Sequence, residues 1–234
     1  MGTKHFVCVL FPIFFTVAAI LLLLVANFGS VTGMHMHLFR LDTENLAIGQ
    51  SSVLDFVYDL GNITAQDLGL ARSYEVSVWS YCSLGFDGFR QCSNVEMDWA
   101  FNAISNAQLE EISSSGMQVL GPVRAFRELS RWTSIAFIMA LIAMGFELII
   151  GILSIFSRII SCVAWLASLL AVLMAGVACI LATVQVAVVT GAVETIGSHY
   201  GMEISINASF LATIWAGFAF IFASRILFCL TICV

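Results

Sequence analysis

Residues 133–190 read TSIAFIMALIAMGFELIIGILSIFSRIISCVAWLASLLAVLMAGVACILATVQVAVVT, and Glu147 and Arg158 are their only charged side chains. A bilayer core about 30 Å thick is crossed by about 20 apolar residues in a helix. The stretch is long enough for two crossings, and the polar break at Ser157-Arg158 leaves room only for a tight reversal between them. A transmembrane helical hairpin is the reading that decides the fold. Outward from it, Phe6 to Phe28 and Phe210 to Ile232 are similarly apolar, the latter interrupted only by Arg225. Four spans result: Phe6 to Phe28, Thr133 to Phe156, Ile159 to Thr190 and Phe210 to Ile232. They must be helices, because hydrocarbon offers the backbone no hydrogen-bond partners and four strands cannot close a barrel.

Composition agrees. Of 234 residues 60% are hydrophobic and 10% charged, with a mean hydropathy of +1.00. Ordinary globular chains are about a quarter charged, so a soluble fold is excluded. The net charge of −6 argues against nucleic acid, whose phosphates require a basic surface.

The first span is too long for a cleaved signal and lacks a small-residue cleavage site, so it reads as a signal anchor. Lys4 precedes it and Arg158 lies in the tight turn, which places both on the cytoplasmic side. The six arginines from Arg40 to Arg131 do not oppose this, since loops beyond about 60 residues translocate largely regardless of charge. The expected order is a cytoplasmic N-terminus with span one (1–28), an extracellular domain (29–132), span two (133–156) and a cytoplasmic turn (157–158). Span three (159–190), a second outside loop (191–209) and span four with a cytoplasmic C-terminus (210–234) follow. The expected fold is therefore a four-helix transmembrane bundle carrying a small extracellular β-sheet domain.

That topology has chemical consequences. Cys82 and Cys92 are the only cysteines of the large loop, and an even pair in an oxidising compartment is expected to bridge. Cys8, Cys229 and Cys233 lie near the cytoplasmic ends of spans one and four, where S-palmitoylation and plain apolar packing both fit. Two glycosylation sequons begin at Asn62 and Asn207; the second abuts span four, so Asn62 is the expected acceptor.

From Tyr74 to Cys82 the chain alternates as a half-buried strand does, and Gly85, Asp87-Gly88 and Arg90-Gln91 supply turn chemistry before Cys92. A Cys82–Cys92 bridge would staple two antiparallel strands around that turn. Four spans, a long first outside loop and Trp79-Ser80-Tyr81-Cys82 with Cys92 resemble the claudin-type arrangement. Leu38-Phe39-Arg40-Leu41-Asp42-Thr43, Ile63-Thr64-Ala65-Gln66-Asp67-Leu68-Gly69-Leu70 and Val78-Trp79-Ser80-Tyr81-Cys82 further resemble the fungal SUR/PalI family of cortical-patch membrane proteins. The resemblance covers nearly the whole chain in topology, with its specific motifs between Leu38 and Trp99. Family members often carry a cytoplasmic tail, whereas this chain stops at Val234.

The resemblance implies a plasma-membrane protein of stable cortical microdomains (eisosomes), tied to membrane organisation, endocytosis and cell-wall integrity. Its PalI branch instead assists ambient-pH signalling. Membrane lipids and lateral protein neighbours, including further copies of the chain, are the implied partners. No enzyme motif, cofactor signature or metal-ligand spacing stands out. His35, His37 and His199 read as surface histidines rather than metal ligands or pH sensors.

Two charged residues inside spans need a physical account, because each costs about 2.5–3.5 kcal/mol on insertion scales. Glu147 and Arg225 sit at matched depth, which allows an ion pair locking span two to span four. Alternatively Arg225 snorkels to the headgroups and Glu147 bonds a hydroxyl. A channel with Glu147 and Gln185 lining a path is a third reading. Finally, Ala167, Ala171, Ala175, Cys179, Thr183, Ala187 and Gly191 recur at every fourth position of span three. Such a small-residue ridge is expected to face neighbouring helices, with Leu169, Leu170 and Leu173 towards lipid. Span three would be about 48 Å long, enough to project outside and brace the outer domain.

Overall fold

The structure is a computed structural model that describes residues 3–29, 36–48, 63–66, 69–97, 99–100, 120–154, 158–195 and 201–233. Its long helices are α1 (Thr3–Phe28), α2 (Leu120–Leu153), α3 (Arg158–Thr195) and α4 (Ala208–Cys233). Each is long and apolar enough to cross a membrane, over Leu10–Phe28, Arg124–Leu153, Ile160–Thr195 and Ala208–Phe228. The chain divides into two compact units, a helical one (Met1–Met36, Trp132–Thr183, Ala208–Val234) and a sheet one (His37–Arg131, Val184–Asn207).

In the helical unit, small residues let the backbones approach. Gly217 of α4 faces Leu23 and the Ala19 carbonyl of α1, while Gly176 of α3 receives the Phe218 ring of α4. The Phe15 and Phe220 rings lie 5.5 Å apart between α1 and α4. The α3–α4 contacts pair Trp165 with Arg225, Gly176 with Phe218 and Cys179 with Ile214, so the two helices run antiparallel.

The sheet unit holds β1 (Phe39–Asp42), β4 (Ser73–Val76), β5 (Tyr81–Leu84), β6 (Arg90–Cys92) and β7 (Glu203–Ile206), in the order β6-β5-β4-β1-β7. All pairings are antiparallel. The short strands β2 (Ala47–Ile48) and β3 (Ile63–Thr64) pair separately. In β1, Phe39 stands opposite Val76 on one side and Ile206 on the other. Side chains alternate across a strand, so Phe39, Val76 and Tyr81 share one face. An aromatic chain continues from that face: Phe39–Phe126 at 6.1 Å, Phe126–Trp99 at 6.0 Å and Trp99–Tyr81 at 5.7 Å. The Trp99 indole N–H donates to the Val78 carbonyl (3.0 Å), which satisfies its polar end within a buried setting. The opposite face is charged, with Glu75 bonded to Arg90 at 2.7 Å and approached by Arg40 at 4.0 Å.

Several boundaries depart from the sequence reading. Tyr74 to Cys82 is not one strand: the chain reverses at 77–80, where the Ser77 N–H donates to the Ser80 carbonyl, and emerges as β4 and β5. The segment 191–209 is not simply a loop, because β7 extends the sheet at β1. Helix α2 begins at Leu120 rather than at residue 133. Arg124, Arg127, Glu128 and Arg131 depress its hydropathy there, yet Phe126 joins the aromatic core of the sheet unit. It ends at Leu153, where the Ser154 hydroxyl donates to the Gly151 carbonyl (2.6 Å); residues 155–157 lie outside those described. Helix α3 continues to Thr195, five residues past the expected end at 190.

Candidate functional site

The most unusual chemistry of the helical unit lies where all four helices supply a polar side chain. Glu147 of α2 is 0% exposed. Its Oε1 accepts from the hydroxyls of Thr16 on α1 and Ser224 on α4, each at 3.3 Å. Ser168 on α3 also faces the carboxyl, outside direct hydrogen-bond geometry. Thr16 and Ser224 lie 2.9 Å apart, and both reach the Pro12 carbonyl at 3.0 Å. Two hydroxyl protons thus serve the Pro12 carbonyl, Glu147 Oε1 and each other, so the bonds are shared. Glu147 Oε2 is buried with no hydrogen-bond partner among the described residues. Such a knot carries energetic weight, since a buried polar group left unsatisfied costs about 1–3 kcal/mol.

Arg225 is not part of it. No ion pair joins Glu147 to Arg225, and the guanidinium instead lies 5.2 Å from the centroid of the Trp165 ring on α3. The reason is azimuth. Ser224 points at the carboxyl, and the next residue along a helix is turned by about 100°. Matched depth was legible in the sequence; which way each side chain pointed was not. Thr16, Ser168, Ser224 and Trp165 went unassigned, and their only sequence signal was isolated hydroxyls and an indole within apolar runs.

The small-residue ridge follows the same geometry. Ala171, Ala175 and Cys179 are fully buried, and Ala167 and Thr183 are half-buried. Ala187 and Gly191 are exposed, contrary to an unbroken packing ridge. Steps of four residues advance about 400°, so a strict stripe drifts by about 40° per step and winds off the packed face. The buried positions follow the helical period instead: Ala164, Ser168, Ala171, Ala175, Ala178 and Ala182. Leu170 and Leu173 are exposed, while Leu169 is half-buried. Gln185, further along α3, is buried with both amide atoms unpartnered among the described residues.

In the sheet unit, Cys82 and Cys92 are disulfide-bonded, directly opposed on β5 and β6. The hairpin beyond them turns at Gly88, whose φ of 81° suits glycine, with the Phe89 N–H donating to the Asp87 carboxylate at 3.0 Å. Its tip exposes Phe86 and Phe89, the latter 79% exposed. Trp79 is buried in the 77–80 reversal rather than in a strand, and Tyr81 opens β5 against Trp99.

Asn62, His35 and His199 lie outside the described residues, as do the side chains of Cys8, Cys229 and Cys233. Among the described residues no three His, Cys, Asp or Glu side chains come together as a metal site would require.

No individual curated protein matches the chain. The SUR7/PalI family model matches it over residues 8–227, spanning the four helices and the antiparallel sheet, most of whose strands lie between α1 and α2, that make a claudin-like fold. The chain belongs to the SUR7/PalI family.

Proposed function

We propose that this protein is a non-enzymatic organiser of plasma-membrane cortical patches, acting through lateral contacts with lipids and neighbouring membrane proteins. Family membership supports the class. The observation that favours structure over permeation is the closed state of Glu147, the one carboxylic side chain of the helical unit. It is fully buried and held by hydroxyls from two other helices. A permeation route would need a succession of polar positions open to water. The disulfide supports an oxidising, extracellular setting for the sheet unit, with both termini cytoplasmic. There the exposed Phe86 and Phe89 would stand on a stapled hairpin, available to neighbouring proteins.

A fluorescent fusion imaged at the cortex of living cells, with photobleaching, tests the reading. Static puncta that recover slowly are expected. A uniform, rapidly recovering rim would refute the patch role.

A further inference from the structure

Arg225 poses a problem of charge. Among side chains of the helical unit, Glu147 is the sole carboxylate in sequence, and it is committed to Thr16 and Ser224. No other acid of that unit is available to neutralise the guanidinium. Yet Arg225 lies within the apolar stretch Ala208–Phe228, three residues before its end, where an uncompensated charge is costly. Among the described residues Arg225 makes no ion pair, so an anion from outside the chain would relieve that cost.

The surroundings specify which anion. Arg225 lies eight residues before the last residue of α4, and Trp165 seven after the first of α3. At 1.5 Å per residue both are about 10–12 Å from the same end of the antiparallel pair, a depth from which a long side chain snorkels towards headgroups. The Arg225 guanidinium carbon lies over the Trp165 ring, 5.2 Å from its centroid, a cation–π contact that holds the side chain there. Nη1 is buried and makes no hydrogen bond among the described residues, while the side chain as a whole is half-buried. Leu166, Phe222 and Ile226 flank the pair with exposed apolar surface suited to acyl chains.

We propose that Trp165 and Arg225 form a binding site for the phosphate of an anionic phospholipid in the groove between α3 and α4. The Nε–Nη2 edge of the guanidinium, which does not include the buried Nη1, would donate two parallel hydrogen bonds to a phosphate, and the Trp165 indole would keep that edge from swinging away. The bound lipid would tie α3 to α4 from the outer side of the pair, at the level where Ser224 joins the polar knot on the inner side.

The test uses the purified full-length chain in detergent micelles, titrated with phosphatidylglycerol, phosphatidylserine or phosphatidylcholine and read by native mass spectrometry. Both anionic lipids should be retained over phosphatidylcholine. Arg225→Gln should weaken that retention by about tenfold, the scale of one charge-assisted contact. Arg225→Lys, which keeps the charge but not the fork, and Trp165→Leu should fall between. Arg72→Gln, a surface change in the sheet unit, should leave retention unchanged. Equal retention by Arg225→Gln and the unaltered protein overturns the proposal, as does an equal loss in Arg72→Gln. Should Arg225→Gln fail to fold, Trp165→Leu decides alone, and wild-type retention in it counts against the site. Displacement of the lipid by millimolar inorganic phosphate would reassign the site to a soluble anion and overturn the lipid reading.

Discussion

The two units of this protein are held together by opposite means. The helical unit relies on close backbone approach at Gly176, Gly217 and the buried alanines of α3, plus one shared hydrogen-bond knot around Glu147. The sheet unit relies on a covalent bond, an aromatic core and partly exposed ion pairs. The difference follows from solvent. Inside lipid the hydrophobic effect does not drive helices together, so packing and rare polar contacts decide the arrangement. A small sheet in water has little core to bury, and crosslinking compensates.

The comparison is broken most directly at the disulfide. Replacing Cys82 and Cys92 together by alanine should destabilise the sheet unit by about 2–4 kcal/mol, the usual range for such a bridge. Limited proteolysis should then cleave within the sheet unit while the helical core survives. Equal protection of the altered and unaltered sheet would show that the bridge contributes little.

Next in size is the knot. Glu147→Ala removes one of the acceptors that Thr16 and Ser224 share, leaving them the Pro12 carbonyl and each other, and opens a cavity between the helices, at a cost of about 1–3 kcal/mol. Glu147→Gln keeps an acceptor oxygen and should cost less. Steric trapping or thermal melting in detergent would rank the two. The charge exchange of Glu147→Arg with Arg225→Glu should not rescue either change, because the two side chains do not pair. Recovery in the exchanged protein would restore the ion-pair reading.

The smallest effect is expected at the surface of the sheet. Glu75→Gln removes the partner of Arg90 and Arg40. Partly exposed pairs of this kind are worth about 0.2–1 kcal/mol, and the loss should shrink further in high salt. A cost comparable to that of the disulfide would mean that Glu75 holds more of the sheet than its contacts imply.

How much of this was readable in advance depends on the range of the interaction. The four spans, the pairing of Cys82 with Cys92 and the turn chemistry at Asp87-Gly88 were all legible, because each depends on composition or on residues close in sequence. Continuous alternation from Tyr74 to Cys82 hid the reversal at 77–80, since two consecutive strands joined by a tight turn keep the same period of two. The alternation of Glu203-Ile204-Ser205-Ile206 was present but lay in a short segment beside a span, and only pairing with β1, far away in the chain, makes it a strand.

What the sequence determined by itself is therefore the solvent of each segment: which stretches belong in hydrocarbon, which in water, and which cysteines can bridge. The tertiary structure alone decided the azimuths. It turned Ser224 rather than Arg225 towards Glu147, set Arg225 against Trp165, and kept the middle of the α3 ridge buried while its far end emerged. The physical reason is that depth in a membrane follows from counting residues along one helix. The direction a side chain faces is set by how several helices rotate against one another, and that is settled only when they pack.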